Sequence, residues 1–251
     1  MSGHSKWSSI KHKKGAADAR RGKLFSKLSR ALIVAAREGG SDPAANLALQ
    51  NAIEKARSYS MPKDNIERAI ARGSGADTGA ETFEQVVYEG YGPNGVAILV
   101  EALTDNRNRT AADVRAAFAK HDGNLGGSGA VAWLFERRGV VLVDADRADE
   151  DELTLAAAEG DADDVGLDGS SFHVTCAPEA LTAVRETIEE AGIEVESAEL
   201  TMVPRTTVSL DDEAAAKKTL RLIDALEESD DVQEVYSNFD IPEQVMEAVA
   251  T

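Results

Sequence analysis

The residues best suited to chemistry in this sequence are basic side chains close to its start. The first 23 residues hold seven lysines and arginines and one acid, Asp18. Lysine and arginine neutralise phosphates and release counterions, and an aromatic ring can stack on a base or sugar. The segment therefore predicts a polyanion-binding arm. Its candidate nucleic-acid-binding residues are Lys6, Trp7, Lys11, His12, Lys13, Lys14, Arg20, Arg21 and Lys23. An alternative for Trp7 is an apolar peg that holds the arm to its own domain.

The distribution of charge supports this prediction. The chain has a net charge of -18, but residues 1–75 hold 15 basic and 6 acidic residues, whereas residues 76–251 hold 12 and 39. A cationic end on an acidic body is typical of a protein that meets a polyanion at that end. The alternative is intramolecular, with the basic end docked on the acidic body.

A second group of polar residues lies in the sequence Thr-Asp-Asn-Arg-Asn-Arg-Thr at positions 104–110, between a predicted strand and a predicted helix. A helix N-terminus favours anions, and two guanidiniums with two amides add donors. This pattern favours a phosphate or RNA-backbone contact made by Asn106, Arg107, Asn108 and Arg109. The alternative is local, with capping and turn roles for the asparagines and surface ion pairs for the arginines.

Signals for an enzyme, a metal or a cofactor are weak. The sequence has no phosphate-binding glycine motif, no His-Glu-x-x-His and no serine elbow, its four histidines have no ligand spacing, and its carboxylates are diffuse. We therefore expect a non-enzymatic protein without cofactor, metal or small-molecule substrate. No apolar run is long enough to cross a membrane, and the single Cys176 suits a reducing compartment. These features predict a cytoplasmic protein; a mitochondrial presequence ranks second.

Hydrophobic spacing predicts three helices in the first 76 residues. The first follows Gly22, carries Lys27 and Arg30 away from its apolar stripe, and ends at Gly39-Gly40. The second is expected to begin at Ser41 or Asp42 with Pro43 in its first turn, and the third ends near Gly73. Short links between them favour an antiparallel bundle, to which we add Lys27 and Arg30 as nucleic-acid-binding candidates.

From residue 77 the pattern alternates between strands and helices, as in split β-α-β, ferredoxin-like layers. Two strands are joined by a Gly-Pro-Asn-Gly turn at residues 92–95, and capping boxes are expected at Thr110–Asp113 and at Ser209–Asp212. The glycine-rich stretch 123–129 is expected to be a flexible loop, and the acidic stretch 159–169 a solvated one. A strand is expected at residues 205–210, and a strand break at residues 137–139.

Several long motifs in this sequence resemble the YebC family, which includes the bacterial YebC/PmpR proteins and the mitochondrial translational activator of cytochrome c oxidase. The motifs are GHSKW, IKHKKGAADARRGKLFSKL, AAREGGSDPAANLAL, SMPKDNIERAI, YEGYGPNGVAILVEALTDNRNRT and GNLGGSGAVAWLFERRG. The resemblance runs to about residue 242. One departure is Ser60, where the family usually has asparagine.

The resemblance implies an α+β fold, with an N-terminal three-helix bundle followed by two ferredoxin-like α/β domains, one inserted in the other. The expected ranges are 1–76 for the arm and bundle, 77–131 and 204–243 for the middle domain, and 132–203 for the insert. Family members are described as DNA-binding transcriptional regulators and as ribosome-associated factors that help translation through proline runs.

We favour a nucleic-acid-binding regulator of gene expression, acting as a monomer on rRNA at the ribosome. The alternative is a DNA-binding transcriptional regulator. The strongly acidic body would repel duplex phosphates, and the sequence has no helix-turn-helix, zinc finger or basic zipper.

Overall fold

The computed structural model describes residues 18–75 and 83–250. Its first unit is the expected bundle of three helices: α1 (Asp18–Gly39), α2 (Leu47–Ser58) and α3 (Lys63–Gly73). Apolar residues at helical spacing, such as Leu32, Leu49 and Ile66, are buried together in one core. Gly40 has a φ of +87°, the left-handed backbone that ends α1.

The start of α2 differs from the prediction. The helix begins at Leu47, with Asn46 as its N-cap, and residues 43–45 form a turn. The Asn46 side chain accepts from the Leu49 N–H at 3.1 Å and donates to the Ala35 carbonyl at 2.7 Å. One buried amide thus serves the end of α1 and the start of α2, which is more than Ser41 or Asp42 could do. A Cβ at Gly39 would lie 2.5 Å from this amide, which explains the glycine there.

The second unit is a four-stranded antiparallel sheet with strand order β3-β1-β2-β9. Its elements are β1 (Glu84–Tyr91), β2 (Ala97–Thr104), α4 (Arg107–Lys120), β3 (Asn124–Leu125), α7 (Glu213–Glu227) and β9 (Val232–Ser237). Side chains from β2, α4, α7 and β9, including Ile98, Phe118 and Leu222, form one core. The turn between β1 and β2 is as predicted, with left-handed backbone at Asn94 and Gly95.

The third unit lies between β3 and α7 in the chain, and its strand order is β5-β6-β4-β7. Its elements are β4 (Phe135–Asp144), α5 (Glu150–Glu159), β5 (Ala162–Asp168), β6 (Ser171–Cys176), α6 (Leu181–Glu190) and β7 (Val195–Pro204). All neighbouring strands are antiparallel, which is the β-α-β-β-α-β ferredoxin-like arrangement. The α+β class with an inserted α/β unit is therefore confirmed. The domain boundaries remain a prediction.

Three local predictions are wrong, and one helix was not predicted. Residues 162–168 of the acidic stretch form β5, because they pair with β6 and because Ala162 and Val165 pack against the core, while Asp163 and Asp164 are exposed. The strand β4 runs through residues 137–139 without a break, since Gly139 lets Cys176 and Leu181 approach closely. At residues 205–210 only two residues pair, β8 (Val208–Ser209) with β10 (Phe239–Asp240). The helix α8 (Glu243–Ala250) was not predicted, although Met246 is buried in the second unit's core.

The predicted capping boxes are also replaced. Asn106 caps α4 by accepting from the Arg109 N–H at 3.1 Å, so the helix begins three residues before Thr110. Asp212 alone caps α7 by accepting from the Ala215 N–H, while Ser209 bonds to Asp211. In both cases an Asn or Asp nearer the helix is the stronger cap.

The glycine-rich loop after β3 is anchored by a buried carboxylate. Glu89 on β1 is 6% exposed and accepts three backbone hydrogen bonds, from Gly129 at 2.6 Å and from Val131 and Ala132 at 2.7 Å. Burial alone would raise the pKa of Glu89, but these three donors outweigh it and lower that pKa. The prediction of a flexible loop over residues 123–129 is therefore wrong, because residues 124–125 pair as β3 and the Gly129 N–H bonds to Glu89.

Candidate nucleic-acid interface

The candidate interface lies partly within the described residues. Six of the predicted contact residues lie outside the described residues: Lys6, Trp7, Lys11, His12, Lys13 and Lys14. Arg20 and Arg21 lie on the first turn of α1, but their side chains are outside the described part of the chain. The other seven candidates are described, and the structure gathers four of them in one place.

Three basic side chains of α1 reach the C-terminal end of α7. The Lys27 Nζ donates to the Glu227 carbonyl at 2.7 Å, and the Lys23 Nζ donates to the Glu228 carbonyl at 3.2 Å. Arg30 donates through Nη1 to the Asp230 carbonyl at 2.6 Å. The last carbonyls of a helix lack intrahelical partners and carry partial negative charge, so cations are stabilising there. The basic face of α1 therefore caps α7 and joins the bundle to the second unit.

The centre of this junction is the carboxylate of Asp231, which is 5% exposed. Its Oδ1 accepts from Arg30 Nη1 at 2.8 Å, and its Oδ2 accepts from Arg109 Nη2 at 2.7 Å. The hydroxyls of Thr110 and Thr104 lie 2.7 and 3.3 Å from the same Oδ2. Burial would raise the pKa of Asp231, but the Arg109 and Thr110 hydrogen bonds and the charges of Arg109 and Arg30 outweigh it and lower that pKa.

The predicted site at residues 104–110 divides into two pairs. Asn106 caps α4, and Arg109 is paired with Asp231 and, at 2.7 Å, with Asp105. Arg107 and Asn108 are exposed, and Arg107 forms a long ion pair with Glu84, at 3.8 Å. The structure therefore gives Asn106 and Arg109 the local roles of the alternative interpretation and leaves Arg107 and Asn108 on the surface.

A groove of about 570 Å³ lies along this junction, lined by both cations and carboxylates, among them Lys23, Arg30, Arg109, Asp105 and Asp113. The Arg30 guanidinium also lies 5.2 Å from the centre of the Phe83 ring, a cation–π contact. A smaller cavity of about 350 Å³ shares Arg30 and Phe83 and extends between α1 and α3. The mixed charge of the larger groove makes it a poor pocket for a free anion while Asp231 is in place.

A second polar contact joins the bundle to both sheets. Lys55 on α2 pairs with Glu234 on β9 and lies 4.0 Å from Glu199 on β7, while Arg185 on α6 lies 3.6 Å from Glu54. Burial would lower the pKa of Lys55, but the two glutamates outweigh it and raise that pKa. Sequence reasoning missed Lys55, because nothing in its local pattern distinguishes it from other exposed lysines of an amphipathic helix.

The bundle is thus attached to the rest of the described chain through charges. Its hydrophobic core consists of bundle residues alone, from Leu24 to Ile70. Interfaces of this polar kind are weaker and more sensitive to salt than apolar ones. Because the same cations that hold the bundle are candidate phosphate ligands, a polyanion and Asp231 would compete for Arg30.

The described residues contain no group of three or more His, Cys, Asp or Glu that could hold a metal ion. His173 and Cys176 are both buried in β6, where burial lowers the pKa of the imidazole and raises that of the thiol. Within the described ranges no helix is long and apolar enough to cross a membrane.

Comparison with known proteins places these observations in a family. The model of the TACO1/YebC N-terminal domain matches residues 5–76, and that of the TACO1/YebC second and third domains matches residues 83–239. The chain belongs to the TACO1/YebC family. A member of this family thus attaches its bundle through Arg30, Asp231 and Lys55.

Individual relatives agree over the full length. A protein of Rubrobacter xylanophilus named "Probable transcriptional regulatory protein" is 62% identical over 250 residues, covering all of both chains. A protein of Thermobifida fusca with the same name is 52% identical over 250 residues, again covering both chains completely. The crystal structure of a conserved hypothetical protein from Aquifex aeolicus is 50% identical and superimposes with a TM-score of 0.80, covering 90% of this chain and 93% of that one.

Proposed function

We propose that this TACO1/YebC-family protein is a non-enzymatic, nucleic-acid-binding regulator of gene expression that acts on rRNA at the ribosome. Its role there would be to help translation of difficult sequences such as proline runs. The observation that carries the proposal is the segregation of charge, with 15 basic and 6 acidic residues before position 76 and 12 and 39 after it. A polyanion is attracted to one end of such a molecule and repelled by the other.

In this proposal the primary contact is the basic arm that precedes α1. Lys6, Lys11, Lys13 and Lys14 supply phosphate contacts, and Trp7 supplies a ring for stacking. Arg20, Arg21 and Lys23 continue the basic track onto α1. Lys27 and Arg30 hold the bundle in place and become phosphate ligands where RNA displaces the carbonyls of α7 and Asp231.

The second contact is the start of α4. Arg107 and Asn108 are exposed there, and the ion pair of Arg107 with Glu84 is long and solvent-exposed, so a phosphate can replace it at small cost. Asn106 and Arg109 belong to this contact mainly by fixing the first turn of α4. The expected setting is a monomer in the cytoplasm without a small-molecule substrate.

A second candidate function is DNA-binding transcriptional regulation. It is favoured by the name "Probable transcriptional regulatory protein" of the relatives from Rubrobacter xylanophilus and Thermobifida fusca. In this case the basic arm would track the duplex backbone, and bundle helices would offer a face to a groove. The 39 acidic residues after position 75 argue against it, because a duplex is a dense polyanion that the acidic body would have to avoid.

Competition between ribosomes and DNA distinguishes the two candidates. Purified full-length protein is incubated with ribosomes and with promoter or random DNA fragments over a series of salt concentrations. Retention on ribosomes at physiological salt, with random and promoter DNA equally ineffective as competitors, is the expected result. Preference for one DNA fragment over ribosomes and random DNA would contradict the proposal and favour the transcriptional candidate.

A further inference from the structure

A tryptophan that lies far along the sequence from the basic arm is exposed on the surface. Trp133 is 67% exposed, on a short 3-10 turn between the glycine-rich loop and β4. Its indole N–H donates to the Ala130 carbonyl at 3.2 Å, and the Tyr91 hydroxyl donates to the same oxygen at 3.0 Å. Tyr91 is itself 37% exposed. Two aromatic rings therefore meet at one backbone atom and remain open to solvent.

These rings are held on a rigid support. The loop that carries Ala130 is fixed by the three backbone hydrogen bonds to buried Glu89. The other side of the turn is fixed by the Leu134 carbonyl, which accepts from the Arg205 N–H at 2.7 Å. A large exposed ring on a fixed support loses little conformational entropy when a ligand covers it.

The chemistry that remains available to the two rings is stacking. The indole donor and the tyrosine hydroxyl are already bonded to Ala130, so the ring faces are the recognition elements. Flat bases of unpaired nucleic acid bind to such faces without sequence preference. Arg205 lies next to this turn, since its backbone N–H bonds to the Leu134 carbonyl, and its exposed guanidinium forms an exposed ion pair with Glu136 at 3.6 Å. A phosphate can accept from that guanidinium instead.

We propose that Trp133 and Tyr91 form a stacking platform for an unpaired base of single-stranded RNA, with Arg205 on the adjacent phosphate. The inference rests on the proposed nucleic-acid-binding function and adds a contact far along the sequence from the basic arm. In this proposal the three backbone hydrogen bonds to Glu89 hold the platform in one geometry.

The chain has two tryptophans, so Trp7→Phe leaves Trp133 as the sole indole fluorophore. This variant is titrated with a labelled single-stranded RNA and with a duplex of the same length. Binding is followed by anisotropy of the RNA label and, in parallel, by tryptophan emission. We expect single-stranded RNA to quench Trp133 at the concentrations where anisotropy reports binding, and the duplex to quench it far less.

Affinity of otherwise wild-type variants supplies the second readout. We expect Trp133→Ala to weaken binding of single-stranded RNA roughly tenfold or more, and Trp133→Phe to retain affinity within about threefold. Leu155→Ala is the matched control, because Leu155 is 69% exposed and lies on the inserted unit away from the platform. Circular dichroism and urea unfolding verify that each variant is folded.

The outcomes separate the platform from the proposed function. RNA binding by anisotropy without a change in Trp133 emission, together with unchanged affinity of Trp133→Ala, overturns the platform and leaves the function standing. If Trp133→Ala weakens binding to ribosomes but naked RNA never quenches Trp133, the partner is a protein surface and the base-stacking inference is wrong. Absence of all RNA and ribosome binding by the full chain contradicts the proposed function and the platform together.

Discussion

Asp231 and Glu89 are both buried carboxylates with lowered pKa values, but they are stabilised in different ways. Asp231 accepts from two arginines of different units, Arg30 and Arg109, with two threonine hydroxyls beside them. Within the described residues, the Glu89 carboxylate accepts from three backbone N–H groups. The first carboxylate depends on charged side chains, and the second on the backbone.

This difference indicates which part of the molecule can respond to salt and to competing phosphate. A charge pair between units is open to competition by phosphate and to screening by salt, because its arginines are partly exposed. Backbone donors to a buried carboxylate have no such competitor. In the proposed function, RNA would therefore loosen the bundle at the Asp231 junction, whereas the surface would stay fixed at the Glu89 anchor.

The largest expected effect comes from Asp231→Asn. The substitution keeps the shape but leaves Arg30 and Arg109 without their shared anion, so we expect unfolding free energy to fall by about 2 to 3 kcal/mol. Urea unfolding measures it, with Asp230→Asn as control because the Asp230 side chain is exposed and only its carbonyl is used. The loss should shrink at high salt. Equal stability of the two variants would show that the junction does not depend on this charge.

Glu89→Gln tests the other carboxylate. An amide can accept through only one of its two terminal atoms, so at least one of the three loop N–H groups loses its acceptor, and we expect a loss of about 1 to 2 kcal/mol. Unlike the loss at Asp231, it should be the same at low and high salt. Glu84→Gln on the same strand is the control, since that side chain is exposed. A salt dependence equal to that of Asp231→Asn would remove the distinction between the two sites.

Lowering the pH tests the same comparison, because protonation of each carboxyl is linked to the free energy of unfolding. Both carboxyls have folded-state pKa values below their ordinary values of 3.8 for Asp231 and 4.5 for Glu89. Their stabilisation is therefore complete above those values and is lost as pH falls through the folded pKa. We expect the stability gap between wild type and each variant to be constant from about pH 5 to 7 and to narrow below about pH 4. A gap that widens on acidification would contradict the assigned direction of the shifts.

The smallest expected effect on stability is that of Arg107→Ala, below about 0.5 kcal/mol, because its ion pair is long and exposed. Its effect on RNA binding should nevertheless be measurable, since Arg107 is free of the junction at Asp231. We expect Arg109→Ala to do the reverse, that is, to lower the free energy of unfolding more than the affinity for RNA. If Arg107→Ala leaves affinity for RNA unchanged, the start of α4 is a capped helix end and not a contact.

Much of the fold could be predicted from sequence, for identifiable reasons. The helical period after Gly22, up to residue 73, and the Gly-Pro-Asn-Gly turn are local signals, and both are confirmed. The strand β5 was missed because Asp163, Asp164 and Gly166 resemble a loop, and only pairing with β6 makes them a strand. The start of α2 was misplaced because the reach of Asn46 back to Ala35 is a tertiary contact.

The candidate site was less accessible to sequence reasoning. Asp231 lies 201 residues from Arg30 and 122 residues from Arg109 in the chain, so no local pattern links them. Charge segregation singled out the basic side chains of α1 but not their contact with α7, and their role in binding nucleic acid stays a prediction. Trp133 was missed because an apolar run before a strand gives no sign that one of its members is exposed.

The most direct test of the central claim is removal of residues 1–17. This deletion spares α1 and every described contact of Lys23, Lys27 and Arg30, and it removes four lysines. Affinity for ribosomes and for single-stranded RNA is measured over a salt series, with urea unfolding as the check on the fold. We expect unfolding to be unchanged, affinity to be lost, and any residual binding to have a salt slope shallower by about 0.7 per lost lysine contact. Full affinity with an unchanged salt slope would contradict the claim that the basic arm binds the nucleic acid.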